Sequence, residues 1–156
     1  MQLQGDITIE LGRQCDAFSM AEMSRDLIER GLGWSWQCAR IVRQIRHPDV
    51  QVVVARDGWR ILGFAIMQFR DDTAHLNLFA VARSYQRRGI GRSLLQWLEC
   101  TARTAGVFLV NLEVRENNAT ARSFYRSLGY IEMLRIPRYY RGTESAVRMY
   151  HDLHIS

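Results

Sequence analysis

Between Ala74 and Val114 the sequence reads as a strand, a glycine-containing turn, a long helix and a second strand. This unit constrains the fold more than any other stretch. Ala74–Val81 carries strand signals, and from Gly89 to Thr104 the apolar residues Ile90, Leu94, Leu98 and Ala102 recur at every fourth position. That spacing lines one face of a helix, and Gly106 is placed to stop it. Val107–Val114 is a nearly continuous apolar run, which predicts a strand buried on both faces. If the two strands lie parallel in one sheet, the helix between them makes a right-handed crossover.

The flanking segments extend this unit into a mixed sheet. Ile7, Ile9 and Leu11 alternate as in a first strand. Ala17–Arg30 has a helical apolar face closed by Gly31, and a second helix over Ser35–Arg46 ends before Pro48. Val50–Arg56, Ile61–Phe69 and Ala74–Val81 are joined by turns at Asp57-Gly58 and Asp71-Asp72, the short connections of an antiparallel meander. Asn117 or Asn118 can cap a helix running to Leu128, closed by Gly129; Tyr130–Ile136 and Ala146–Leu153 read as two last strands. The predicted order is β-α-α-β-β-β-α-β-α-β-β, an α/β fold with helices on both faces of a mixed sheet.

With 156 residues, the chain is expected to form a single domain over 1–156. A chain of this size buries ~70% of its unfolded surface and needs no metal or disulfide staple. No apolar run approaches the ~18 residues of a membrane span, and the N-terminus lacks the basic start and apolar stretch of a secretory signal. A cytoplasmic location and no membrane partner are therefore expected. Cys15, Cys38 and Cys100 are unpatterned and read as free thiols. His151 and His154 lack a Cys or Glu partner nearby, so no metal is expected. The formal charge is +5, with 21 arginines and no lysine, a balance that suits an anionic ligand without identifying one. The arginines are scattered and no RNA-binding aromatic motif occurs, so direct nucleic-acid binding is not expected.

The turn Tyr85-Gln86-Arg87-Arg88-Gly89-Ile90-Gly91-Arg92-Ser93 follows a strand and opens a helix. Free N–H groups at a helix start favour phosphate oxygens, glycines allow close backbone approach, and arginines add charge-assisted bonds. A Walker A loop is excluded because there is no lysine, and the dinucleotide fingerprint fails where Leu94 replaces its third glycine.

Gln86, Gly89 and Gly91 match the cofactor motif of the GCN5-related N-acetyltransferase superfamily, which this chain resembles. Downstream, Leu112-Glu113-Val114-Arg115 is followed by Asn118, then Phe124-Tyr125 and Leu128-Gly129-Tyr130, again at the superfamily's spacing. Together with Tyr139-Tyr140 and the Glu144-Ser145-Ala146 segment before Met149, these motifs are most similar to the RimI-type protein N-terminal acetyltransferases. The resemblance spans Gly63 to Leu153 and is weak over the first 60 residues, which help form the acceptor site in that family.

The resemblance implies a central mixed sheet, acetyl-CoA as donor, and direct transfer to an amine without an acyl-enzyme. It implies that Phe79, Ala80 and Val81 contact the pantetheine and acetyl group. It places Arg87, Arg88, Gly89, Ile90, Gly91 and Arg92 at the pyrophosphate, and Asn118 at the cofactor. Glu113 is the candidate base, with burial expected to raise its pKa; the alternative is a carboxylate paired to Arg115 or another arginine. Tyr125 is the candidate acid, or else a core aromatic on the face shared with Ala121, Phe124 and Leu128. Tyr139 and Tyr140 bind the acceptor or form an aromatic rim. Trp34 and Trp36 line the acceptor groove or serve a core or hinge role. The implied acceptor is a protein N-terminus, a ribosomal protein among them. A small amine, amino acid or antibiotic is the alternative, and a non-catalytic CoA-binding module is a third reading. An α-amine, with pKa near ~8 against ~10.4 for lysine, already supplies neutral amine near pH 7.

Overall fold

The computed structural model describes residues 5–154. Its elements follow the predicted order: β1 (Ile7–Leu11), α1 (Ala17–Met23), α2 (Cys38–Arg46), β2 (Val50–Asp57), β3 (Arg60–Phe69), β4 (Ala74–Val81), α3 (Ile90–Thr104), β5 (Leu109–Arg115), α4 (Ala119–Ser127), β6 (Ile131–Tyr140) and β7 (Glu144–Asp152). The strands form one seven-stranded sheet in the order β1-β2-β3-β4-β5-β7-β6. Among the described residues only β4 and β5 pair in parallel, joined through α3. Among the described residues no helix is long and apolar enough to cross a membrane.

The two faces of the sheet carry separate cores. Leu94, Leu95, Leu98 and Ala102 of α3 and Tyr125 of α4 pack with Val53, Leu62 and Met67. On the other face Ala17, Met20 and Ala21 of α1 and Ile41 of α2 pack with Val52, Val54, Phe64 and Ile66. The alternation of strand side chains divides the valines of β2 between these cores.

Four expectations are corrected. The strand at Val107–Val114 is not buried on both faces: in β5 Val110, Leu112 and Val114 enter the core while Asn111, Glu113 and Arg115 stand half-buried on the opposite face. The second helix begins at Cys38 rather than Ser35, because the N–H groups of Ser35 (2.8 Å) and Trp36 (3.1 Å) donate to the Glu29 carboxylate. Helix α1 continues through a wider π turn, Ser24–Ile28, whose end is held by the Arg115 guanidinium donating to the carbonyls of Ile28 (2.7 Å) and Arg30 (2.8 Å). The last strand pair is longer than expected. Pro137 lies in a register gap between Ile136↔Ala146 and Tyr140↔Glu144, on the edge strand where a missing N–H is tolerated.

Beneath α1 a buried Arg56 grips Asp16 with both ends of its fork, at 3.0 and 2.6 Å. The Arg13 N–H also donates to Asp16 at 2.8 Å, and Glu10 pairs with the same guanidinium. This pair ties the start of α1 to β2.

Candidate active site

Strands β4 and β5 share only two pairs, Ala74↔Val110 and His75↔Asn111, and then part. Between them opens a cleft of 1620 Å³, lined by Phe79, Ala80, Val81, Arg87, Gly89, Gly91, Arg92, Glu113, Asn118, Tyr125, Tyr139 and Tyr140 among others. Its size exceeds the ~300–1,000 Å³ of common small-molecule pockets and suits a long donor together with an acceptor. A bulge contributes to its shape. The β3–β4 register steps from Ile66↔Leu78 to Met67↔Leu76, so Asn77 is an extra residue. Consequently Ala74 and Leu76 join the α3-side core, whereas Leu78 and Ala80 join the α1-side core, and Phe79 and Val81 turn toward α3.

The phosphate-type turn is built as the sequence suggests, with different duties for its members. Arg87 (φ 63°) and Gly89 (φ 83°) are both left-handed, flanking Arg88, and such alternation turns successive N–H groups into an anion-binding concavity ahead of α3. Gln86 donates to the Val81 carbonyl at 3.0 Å, closing the turn onto β4. Arg87 and Arg92 line the cleft. The Arg88 guanidinium lies over the Tyr85 ring, 5.1 Å from the centroid. The Ile90 side chain is buried in the core, which leaves its backbone N–H to the turn. Asn118 lines the cleft and caps α4, its side chain accepting from the Ala121 N–H at 3.1 Å.

Gly91 is needed for packing. A Cβ there would stand 3.0 Å from Phe79 and 3.1 Å from Phe124, whose rings stack at 5.6 Å along the cleft wall. Gly91→Ala is expected to cost about 1–3 kcal/mol by overpacking and to weaken acetyl-CoA binding as the ring stack shifts. Urea denaturation and calorimetric titration check the two effects; unchanged stability and affinity would show that the rings yield freely.

Glu113 lies on the α1-side face of β5, where its carboxylate collects donors. His75 Nε2 is 2.8 Å away, the Tyr139 hydroxyl donates at 3.1 Å and Arg148 at 3.5 Å. Burial pushes the Glu113 pKa up, but the hydrogen bonds and positive charge of these neighbours outweigh it, so the carboxyl lies below its ordinary value. The expectation of a raised pKa is therefore reversed. Arg115 is not its partner; it pairs with Glu144 at 3.3 Å.

Sequence reasoning missed His75 and Arg148. Arg148 stands opposite Glu113 in the β5–β7 register, an opposite-charge cross-strand pair. His75 is a lone imidazole in an apolar strand, two residues from Asn77, whose Oδ1 lies 2.6 Å from His75 Nδ1. Both ring nitrogens thus face oxygens. Burial pushes the His75 pKa down, yet Glu113 and Asn77 win and raise it above its ordinary value.

Tyr125 is 8% exposed and reaches the cleft from the α3-side core, packed against Phe124, Phe79 and Tyr130. Burial, with Tyr140 adding, pushes its hydroxyl pKa well up, so it is a protonated donor at neutral pH. Tyr139 and Tyr140 meet edge to face at 4.9 Å and both line the cleft. Trp34 does not join them: its Nε1 donates to the Ala21 carbonyl at 3.1 Å and Arg25 covers its ring. Trp36, rather than Trp34, lines the cleft.

The acetyltransferase (GNAT) family model matches residues 17–130, and the chain belongs to this family. The ribosomal protein bS18-alanine N-acetyltransferase of Salmonella typhimurium is 43% identical over 93 residues, 58% of this chain and 63% of that enzyme. The matched stretch thus falls short of two thirds of that relative's length. The N-alpha-acetyltransferase RimI of Mycobacterium tuberculosis is 34% identical over 140 residues, covering 86% of this chain and 85% of that one. Among solved structures, the ribosomal-protein-S18-alanine N-acetyltransferase from Escherichia coli superimposes with a TM-score of 0.79 at 28% identity over 96% of each chain.

Proposed function

We propose that the protein transfers acetyl from acetyl-CoA to the N-terminal α-amine of a protein, a ribosomal protein being one such acceptor. The observation that carries this reading is the parted β4–β5 pair. It brings a carboxylate from one face of the sheet and a phenol from the other into one cleft, beside an anion cradle. Arg87, Arg92 and the N–H groups of the Arg87–Gly91 turn would hold the donor's pyrophosphate, and Phe79, Ala80 and Val81 its pantetheine arm. Bound acetyl-CoA supplies an activated thioester.

Glu113, with His75 behind it, takes the proton that the amine must shed, directly or through one water. Tyr125 gives its proton to the departing sulfur. The new N–C bond forms as the C–S bond breaks, and both protons are accounted for. Tyr139, which donates to Glu113, and Tyr140 orient the acceptor at the mouth.

The test is mass spectrometry of acetyl-CoA reactions with peptides starting in Ala, Ser or Met, each with an internal lysine, beside polyamines and free amino acids. Acetylation confined to the peptide α-amine is expected. Acetylation of small amines alone would replace the proposed acceptor, and donor binding without any transfer would favour a non-catalytic CoA-binding module.

A further inference from the structure

Behind Tyr125 lies a buried polar triad that the proposed mechanism does not use. Glu99 of α3, Tyr130 after α4 and His151 of β7 are 5%, 2% and 9% exposed. One oxygen of Glu99, Oε2, accepts from the Tyr130 hydroxyl at 3.0 Å and lies 2.7 Å from His151 Nδ1. Apolar residues of similar volume at such a place are often neutral or stabilising, so the triad is not explained by stability alone.

The end of α4 shows what the triad touches. The Tyr130 N–H donates to the Tyr125 carbonyl at 3.0 Å and the Gly129 N–H to the Arg126 carbonyl at 3.0 Å. With Gly129 left-handed (φ 100°), this is a Schellman closure in which Tyr125 and Tyr130 are the paired residues. Their rings also meet edge to face at 5.7 Å. Gly129 sits on the imidazole: a Cβ there would be 2.7 Å from His151 Nε2. Both residues of the closing turn are thus anchored by the triad, one through its hydroxyl and the other through contact.

We infer that Glu99 is a positioning residue for the reaction: through Tyr130 and His151 it holds the closing turn of α4 and thereby sets how far the Tyr125 hydroxyl reaches into the cleft. This rests on the reading of Tyr125 as the acid. Glu99 lies on the same helix whose start forms the anion cradle, so the triad also ties the cradle's helix to the acid's helix.

The test is steady-state kinetics on the full chain with Tyr130→Phe, which keeps the ring and the backbone closure but removes the hydroxyl. The expected result is a fall in kcat of about tenfold, with KM for acetyl-CoA changed by less than about twofold, since small misplacement of a reacting group acts on the chemical step. Glu99→Leu is expected to behave likewise, and Glu99→Gln to fall less far because it keeps an oxygen for the Tyr130 hydroxyl. The deciding measurement is a double-mutant cycle: in a Tyr125→Phe background, Tyr130→Phe produces no further loss. An equal loss in both backgrounds, or normal kcat in both Tyr130→Phe and Glu99→Leu, overturns the inference while leaving Tyr125 as the acid. Full activity of Tyr125→Phe alone overturns that assignment and this inference with it.

Discussion

Glu113→Gln lowers kcat by about 10²- to 10³-fold at saturating acceptor and acetyl-CoA, the scale of a lost general base. On the proposed mechanism the effect is large because the substitution removes both the acceptor of the amine's proton and the charge that holds His75. The pH dependence carries the sharper signature. In the parent protein His75 titrates above its ordinary value, since Glu113 and Asn77 outweigh burial. A protonated His75 stabilises the Glu113 carboxylate and weakens it as a base, so activity is lost as pH falls through that raised pKa. The acid limb of kcat in the parent is therefore expected above ~6.5. Glu113→Gln removes the Glu113 contribution and leaves Asn77, which raises the His75 pKa, against burial and Arg148, which lower it. The residual activity should show its acid limb moved to lower pH. A pH series of kcat for both proteins checks this, and a limb that stays in place while the plateau falls would remove His75 from the proton path.

The largest stability effect is expected at the other end of the molecule. Arg56→Met leaves the Asp16 carboxylate buried with only the Arg13 N–H, and breaking a buried pair in this way costs about 3–5 kcal/mol. For a chain of this size that corresponds to a fall in Tm of roughly 10 °C. Burial pushes the Asp16 pKa up, but the Arg56 and Arg13 hydrogen bonds outweigh it and hold it below the ordinary value. The stabilisation is then fully present above the unfolded pKa of ~3.9 and is lost as pH falls through the lower folded value. In Arg56→Met, the part of the acid-side loss due to Asp16 should shrink. Urea titrations at pH 7 and near pH 3 measure both quantities, and a loss below 1 kcal/mol at pH 7 would mean that Glu10, Asp16 and Arg56 are better solvated than their burial indicates.

Much of the architecture was legible because its signals are local. The fourfold apolar spacing of Ile90, Leu94, Leu98 and Ala102 gave α3, and turn residues at Asp57-Gly58 and Asp71-Asp72 separated the meander strands. What stayed hidden depends on register. The bulge at Asn77 leaves no mark in an alternating stretch, yet it reverses which side chains of β4 meet which core. His75 and Arg148 become visible beside Glu113 only when three strands are laid next to one another. For the same reason the place of Glu113 in an apolar strand pointed to a raised pKa: burial is foreseeable there, but the donors that overcome it come from β4, β6 and β7. Trp34 shows the converse case, an aromatic that reads equally as groove, core or hinge in the sequence and whose indole is spent on the backbone of α1.

The split between β4 and β5 has an evolutionary consequence. On the proposed reading, the donor is held by α3, α4 and the cradle on one side of the sheet, while the acceptor meets the π turn, Trp36 and the β6–β7 hairpin on the other. Substitutions in the first 60 residues and around Arg141 can therefore alter which chain end is accepted without disturbing how the donor is gripped. A family built on this wedge can diversify its clients while inheriting a single way of holding its fuel.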